Sequence, residues 1–361
     1  MNLIVLVFLA LLLTGQQRVL AETEISLPQG FQITTAVQGV ADARSMALGD
    51  KGTLFIATRR AGKLYAARDE DGDGRFSPAI LLAEGLRMPN GIAFHQGALY
   101  LAENHRLTRY DGIEAGLPDL PEAVEIARLP TEKHHGWRYL AMGPDGWLYL
   151  SIGAPCNSCN EPGYGTIIRM RPDGSERAVF AEGVRNSVGF DWAPGTQDLW
   201  FSDNGRDWLG DDLPPDEINR ATSSGLHFGY PYCHAGFLAD PEFGHERPCE
   251  AFTPPAVKLG AHVAPLGVRF YTGSQFPKAY QGQLFVAEHG SWNRSEPVGY
   301  RIAVAHIEGG RVTAYEPFAT GWLKAGGGVS GRPVDLLVMP DGALLVSDDH
   351  GGRIYRISYN P

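Results

Sequence analysis

The feature that most constrains this chain is a recurring pair of apolar strands joined by a glycine-containing turn. Copies begin at Met46, Ile92, Leu140, Val188, Val268 and Leu336, so successive gaps are 46, 48, 48, 80 and 68 residues. Pro144-Asp145-Gly146, Pro340-Asp341-Gly342 and Gln96-Gly97 punctuate the copies as hairpin turns do. A period near 45–50 residues fits a four-stranded propeller blade. Most copies continue into a further strand, as at 62–66, 106–110, 166–170 and 353–357. The expectation is an all-β protein: a six-bladed β-propeller of four-stranded antiparallel blades over residues 22–361. The strand at 31–36 would join the last blade and close the ring, which removes exposed edges. No amphipathic helix is evident after residue 24, and the 45 Gly and 25 Pro suit a turn-rich fold.

Residues 1–21 read as a secretory signal peptide: an eleven-residue apolar run from Leu3 to Leu13, then a small-residue cleavage site at Val19-Leu20-Ala21. The run is too short to span a bilayer, and no later stretch is long and apolar enough to do so. The mature chain is therefore expected in the periplasm or outside the cell, without a membrane span after cleavage. A formal charge of −10 argues against nucleic acid as a partner.

Topology locates a site before any motif does. In a propeller, segments leading into each innermost strand and segments leaving each second strand lie on one face, around the central channel. The former carry Arg44, Asn90, His135, Arg185, Asn186, His262 and Arg332. The latter carry Arg59, Glu103, Asn104, Cys156, Asn204, Gly205, His289, Arg294, Asp349 and His350. An acidic protein thus gathers arginine and histidine at one mouth, as an anionic ligand requires. His135 suits a general base. Arg185 and Asn186 suit polarising a carbonyl or holding a carboxylate. The loop from His289 through Trp292, Asn293 and Arg294 mixes a base, a ring, an amide and a cation, which suits a planar anion. The loop after the fourth copy's second strand (203–207) offers backbone carbonyls to a hard cation.

Two motifs lie apart from this argument. Asp69, Asp71 and Asp73 alternate before Gly74 like the first half of an EF-hand loop, although position twelve is Ile80 and not Glu. They form either a calcium-stapled blade turn or a solvated acidic turn. Cys156 and Cys159 form a C-x-x-C followed by Asn160, which argues against haem attachment. Zinc shared with Cys233 and Cys249 is one reading; disulfides Cys156–Cys159 and Cys233–Cys249 are preferred for an exported protein.

The ordered set His135 to Gly146, Gly183-Val184-Arg185-Asn186, Asp203-Asn204-Gly205, Asp216-Glu217-Ile218-Asn219 and Gly331-Arg332-Pro333-Val334-Asp335 resembles the soluble quinoprotein sugar dehydrogenases, most closely their sorbosone dehydrogenase branch. The resemblance runs over nearly the whole mature chain. It implies pyrroloquinoline quinone (PQQ) at the mouth with Ca²⁺ beside it, a small sugar or sugar aldehyde as substrate, and a separate electron acceptor of unspecified kind. It assigns proton removal to His135 while hydride passes to the quinone. Arg185 and Asn186 would contact the quinone oxygens, and the carbonyls of Gly205 and Arg206 would bind Ca²⁺. The chain departs from the glucose-oxidising members at Thr272, where they have a cofactor-binding Lys, and at Arg206, where they have Pro. The carboxylate clamp is then expected from His289, Arg294 and Arg332. Two other classes fit the fold: a calcium-dependent lactonase using Glu103, Asn186 and Asp335, and a non-catalytic module binding glycans or proteins.

Overall fold

The computed structural model describes residues 25–361. The signal peptide expected at 1–21 lies outside the described residues.

Six antiparallel sheets follow one another along the chain. The first blade comprises Ala43–Leu48, Thr53–Thr58, Leu64–Arg68 and Ile80–Ala83. The innermost strands of the next five are Gly91–His95, Leu140–Met142, Phe190–Trp192, Pro265–Phe270 and Pro333–Val338. Phe31–Gln38 pairs antiparallel with Arg353–Tyr359 and supplies the outermost strand of the sixth blade, closing the ring as expected. The only helical elements among the described residues are three single 3-10 turns.

The wide spacing after the fourth copy has a concrete cause. The stretch 222–256 is inserted between the third and fourth strands of blade four, Pro215–Ala221 and Val257–Ala261. From it Leu226–His227 pairs parallel with Ala178–Glu182, so blade three has five strands instead of four. The insertion also carries Cys233, which is bonded to Cys249. Cys156 is bonded to Cys159, so both preferred pairings are present.

Alternation along each strand places apolar side chains on both sheet faces, because every blade is covered by two neighbours. The core is accordingly divided into six clusters, each shared by adjacent blades. One joins Val37, Leu345 and Ile354 to Met46, Leu54 and Ile56 across the ring closure. Another joins Trp200 and Ile218 to Phe270 and Leu284 across blades four and five. A seventh, small cluster of Val188, Leu266 and Val334 with Trp137 comes from the mouth ends of four innermost segments. Pairing of the innermost strands in blades one, five and six slips at their mouth ends, between Ala43 and Met46, Pro265 and Val268, and Pro333 and Leu336. Bulges of this kind re-aim side chains, and one of them carries Arg44.

Candidate active site

The mouth is a cavity of about 460 Å³. Of the residues singled out from topology, Arg44, Arg59, His135, Arg185, Asn186, Asn204, Gly205, His262, His289 and Arg332 line it. Trp292 and Asn293 line it too. Others stand one step behind. Asn90 accepts a hydrogen bond from Arg44 Nε at 2.9 Å, and Asp349 takes Arg44 Nη1 at 3.0 Å. Glu103 is turned aside, paired with Arg106 and accepting from the backbone N–H of Arg87.

Two expectations need correction. Arg294 does not line the mouth: its guanidinium bonds the carbonyl of Asp211 and the carboxylate of Asp212, in a neighbouring cavity. Thr272 is not at the mouth either. It is exposed in the turn after Pro265–Phe270, at the end of that strand farthest from the mouth residue Ala264. His289 and Arg332 do line the mouth, together with Arg44, Arg59 and Arg60 of blade one and Arg185 of blade four.

His135 is buried, with φ at 43°. Its Nδ1 lies 2.9 Å from the carbonyl oxygen of Ala154. A carbonyl can only accept, so Nδ1 carries the hydrogen and Nε2 keeps its lone pair. Burial, then the charge of Arg185, then His134 hold the imidazole well below its usual 6.5, against the opposing pull of the Ala154 bond. Gly153 is required beside it, because a Cβ there would stand 2.6 Å from that of His135. Arg138, fully buried, donates to the carbonyls of His135, Asn104 and Pro130 and fixes the loop from below.

Arg185 is a hub more than a free ligand-binding cation. Its Nε and Nη2 donate to the carbonyl and side-chain oxygens of Asn157, Nη1 donates to the carbonyl of Asn204, and Nη2 pairs with Asp207 at 2.9 Å. One Nη1 hydrogen remains for a ligand. Asp203 accepts from the backbone N–H groups of Arg185 and Asn186, and Asp216 from those of Gly205 and Ala264. Burial raises both carboxyls above the usual carboxylate range, Asp216 to about 6. Asn186 Oδ1 accepts from Trp137 Nε1, leaving its amide hydrogens.

Arg59 is different. Its buried Nε has no hydrogen-bond partner, and its guanidinium lies 5.0 Å over the Trp137 ring. Burial, then the charge of Arg44, push it down to about 10 against the attraction of Asp349 and Asp42. Arg60, Arg332 and Arg44 line the same cavity. Arg332 donates to the carbonyls of His289 and Gly290, and His289 Nε2 meets Asp349 at 2.9 Å. Burial outweighs the attraction of Asp349 and pushes His289 down to about 4.

Trp137, Asp207, Arg60 and Asn157 were not singled out from the sequence. Trp137 had a readable signal: it lies two residues after His135 in the same segment leading into the third innermost strand, where topology puts mouth residues. Among the described residues no hydrogen bond reaches the carbonyls of Gly205 or Arg206, which leaves both available to a cation. The Arg206 side chain turns away to Asp240 and Glu242. Asp69, Asp71 and Asp73 bring three carboxylate oxygens within 4.8 Å of one another, in the turn joining Leu64–Arg68 to Ile80–Ala83. That turn lies on the face opposite the mouth.

Fold and site together define a closed six-bladed propeller whose central mouth gathers five arginines around a buried histidine. The chain belongs to the TrAA12-like family, whose profile matches residues 173–360. An uncharacterized protein of Borreliella burgdorferi is 34% identical over 351 residues, covering 93% of this chain and 91% of the relative. The pyrroloquinoline quinone-dependent pyranose dehydrogenase of Coprinopsis cinerea is 32% identical over a segment of 122 residues, 28% of this chain and 16% of that protein. Among solved structures, the Trichoderma reesei carbohydrate-active enzyme of family AA12 superposes with a TM-score of 0.81 at 21% identity, over 93% of this chain and 98% of that one. The PQQ domain of Coprinopsis cinerea pyranose dehydrogenase gives 0.78 at 19% identity, over 93% and 97%. The Escherichia coli soluble aldose sugar dehydrogenase gives 0.72 at 17%, over 91% and 100%. These superpositions bear out the six-bladed fold.

Proposed function

We propose that this chain is an exported quinoprotein oxidoreductase that oxidises a small sugar or sugar aldehyde, glucose- or sorbosone-like, and passes the electrons to a separate acceptor. The observation that carries the reading is the Arg59 guanidinium, its buried Nε without a hydrogen-bond partner, crowded by Arg44, Arg60 and Arg332 over the flat face of Trp137. A planar ligand bearing several carboxylates, as PQQ does, satisfies that arrangement. Arg59, Arg44 and Arg332 would hold its carboxylates, with Asn186, His289 and Asn293 as polar partners and Trp292 along its edge. Gly205 and Arg206 would offer carbonyl oxygens to Ca²⁺. Bound PQQ supplies the hydride acceptor, which Ca²⁺ makes more electrophilic.

The protein's own part is proton removal and orientation. His135 Nε2 takes the substrate hydroxyl proton, with its tautomer set by Ala154 and its neutrality set by burial. Arg185 holds Asn157, Asn204 and Asp207 together around it. The two disulfides support an oxidising compartment. The lactonase reading has less support, because Glu103 is committed to Arg106 and Arg87.

The test is to add PQQ and Ca²⁺ to the purified protein and follow dye reduction with aldoses and sorbosone. Folded protein that reduces no dye with any of them sinks the proposal. A second, structural calcium is assigned to Asp69, Asp71 and Asp73. Asp71→Asn is expected to lower Tm by roughly 1–3 °C in Ca²⁺ but not in EGTA, with turnover unchanged. Loss of turnover in the folded variant would contradict that assignment.

A further inference from the structure

Among the described residues, two tryptophans are largely exposed, and they touch each other. Trp208 is 69% exposed and Trp292 65%, with ring centroids 5.3 Å apart and planes at 85°. They come from the loops that leave the second strands of blades four and five, and Trp292 lines the mouth. Exposed indoles are costly on a free surface, so an adjacent pair at a site rim needs a reason.

The pair is also built, not accidental. Trp208 adopts φ of 71°, a left-handed conformation that a bulky side chain takes only when its surroundings impose it. Those surroundings are visible. Asn293 Nδ2 donates to Asp207 Oδ1 at 2.7 Å, tying the two loops together next to both indoles. Asp207 N donates to Asn157 Oδ1, and Asp207 Oδ2 holds Arg185. Arg294 and the N–H of Ser295 complete the seam on Asp211 and Asp212. The same Asp207 that braces Arg185 in the inner site therefore also ties the rim loops together.

Resting on the oxidoreductase reading above, we propose that Trp208 and Trp292 form an outer subsite for a second sugar ring. The preferred substrate would then be an oligosaccharide or glycoside whose terminal unit is oxidised, not a lone monosaccharide. A pyranose ring has an apolar C–H face that packs on an indole, while its hydroxyls stay in water or reach nearby polar groups. The occupant is uncharged: at the rim Asp207 and Asp212 are already paired with Arg185 and Arg294, which leaves little net charge there to recruit an ion.

The experiment uses PQQ- and Ca²⁺-loaded enzyme and a monosaccharide series beside its di- and trisaccharides. The wild type should show a lower KM for the longer sugars. Trp208→Ala should raise KM for di- and trisaccharides roughly 3- to 10-fold, the range expected for one aromatic contact, and leave monosaccharide kinetics within about twofold. Trp208→Phe should recover most of the loss. Equal KM for short and long sugars in the wild type overturns the proposal. So does a Trp208→Ala effect confined to the KM of the electron-accepting dye, which would make the pair an acceptor site. Titration of cofactor-free protein with trisaccharide, read by tryptophan fluorescence, separates the two readings. Binding that Trp208→Ala abolishes, in a protein that oxidises no sugar, keeps the subsite and removes the dehydrogenase. No fluorescence response, with active enzyme, removes the subsite alone.

Discussion

His135→Gln is expected to keep the fold and the cofactor affinity while lowering kcat by roughly 10²–10⁴-fold. Glutamine fills a similar space and can still donate to the Ala154 carbonyl, but it has no lone pair of useful basicity where Nε2 stood. The wild-type pH profile should carry the same signature. Only neutral imidazole accepts a proton, and burial with Arg185 and His134 nearby holds His135 below 6.5. Turnover should therefore be flat with respect to this group above pH 6.5 and fall on the acid side, at a pH lower than an ordinary histidine would give. Stability should move the same way. Unfolded His135 binds a proton near 6.5 and folded His135 does not, so stability is lost as pH falls below 6.5. His289, pushed down to about 4, adds to that loss. His135→Gln should then be less sensitive to acid unfolding than the wild type. Single-turnover reduction of bound cofactor at the wild-type rate in the variant would show that His135 only supports the loop. The base would then be sought at His289.

The legible part of this molecule was periodic. Six glycine-turn hairpins, the first four at gaps of 46 to 48 residues and the last two after wider ones, point to six blades, and blade topology then places Arg44, Arg59, His135, Arg185, His289 and Arg332 on one face without reference to any motif. What could not be read was set by contacts distant in sequence. Nothing local shows that Arg185 spends its donors on Asn157, Asn204 and Asp207, because these sit in two other loops. Arg294 belongs to the right loop, yet it turns outward to the carboxylate of Asp212, 82 residues away. The fifth strand of blade three comes from an insertion whose length was visible and whose pairing was not. Thr272 was misplaced for a different reason: it follows the inner strand instead of preceding it, and each strand reverses the face.

Arg59→Met is expected to separate binding from stability. The methionine keeps an apolar stem packed over Trp137 and removes a guanidinium whose Nε has no partner. Charge-assisted hydrogen bonds contribute about 1.5–3 kcal/mol each, so PQQ affinity should fall by roughly 10- to 100-fold. Cofactor-free protein should not suffer. The charge is half-buried, and burial with the repulsion of Arg44 outweighs the attraction of Asp349 and Asp42, so its loss should leave Tm unchanged or raise it by roughly 1–3 °C. A polar group that destabilises the empty protein and strengthens ligand binding is the mark of a functional residue, since a structural one would lower both. Arg138→Met is the contrast. That guanidinium is equally depressed, to about 10, but it donates to three backbone carbonyls. Its removal orphans all three and should lower Tm sharply. The measurement is a fluorescence titration with PQQ beside thermal unfolding of both variants without cofactor. Unchanged PQQ affinity with a lowered Tm in Arg59→Met would make Arg59 structural, and the anion reading of the mouth would then rest on Arg44, Arg60 and Arg332 alone.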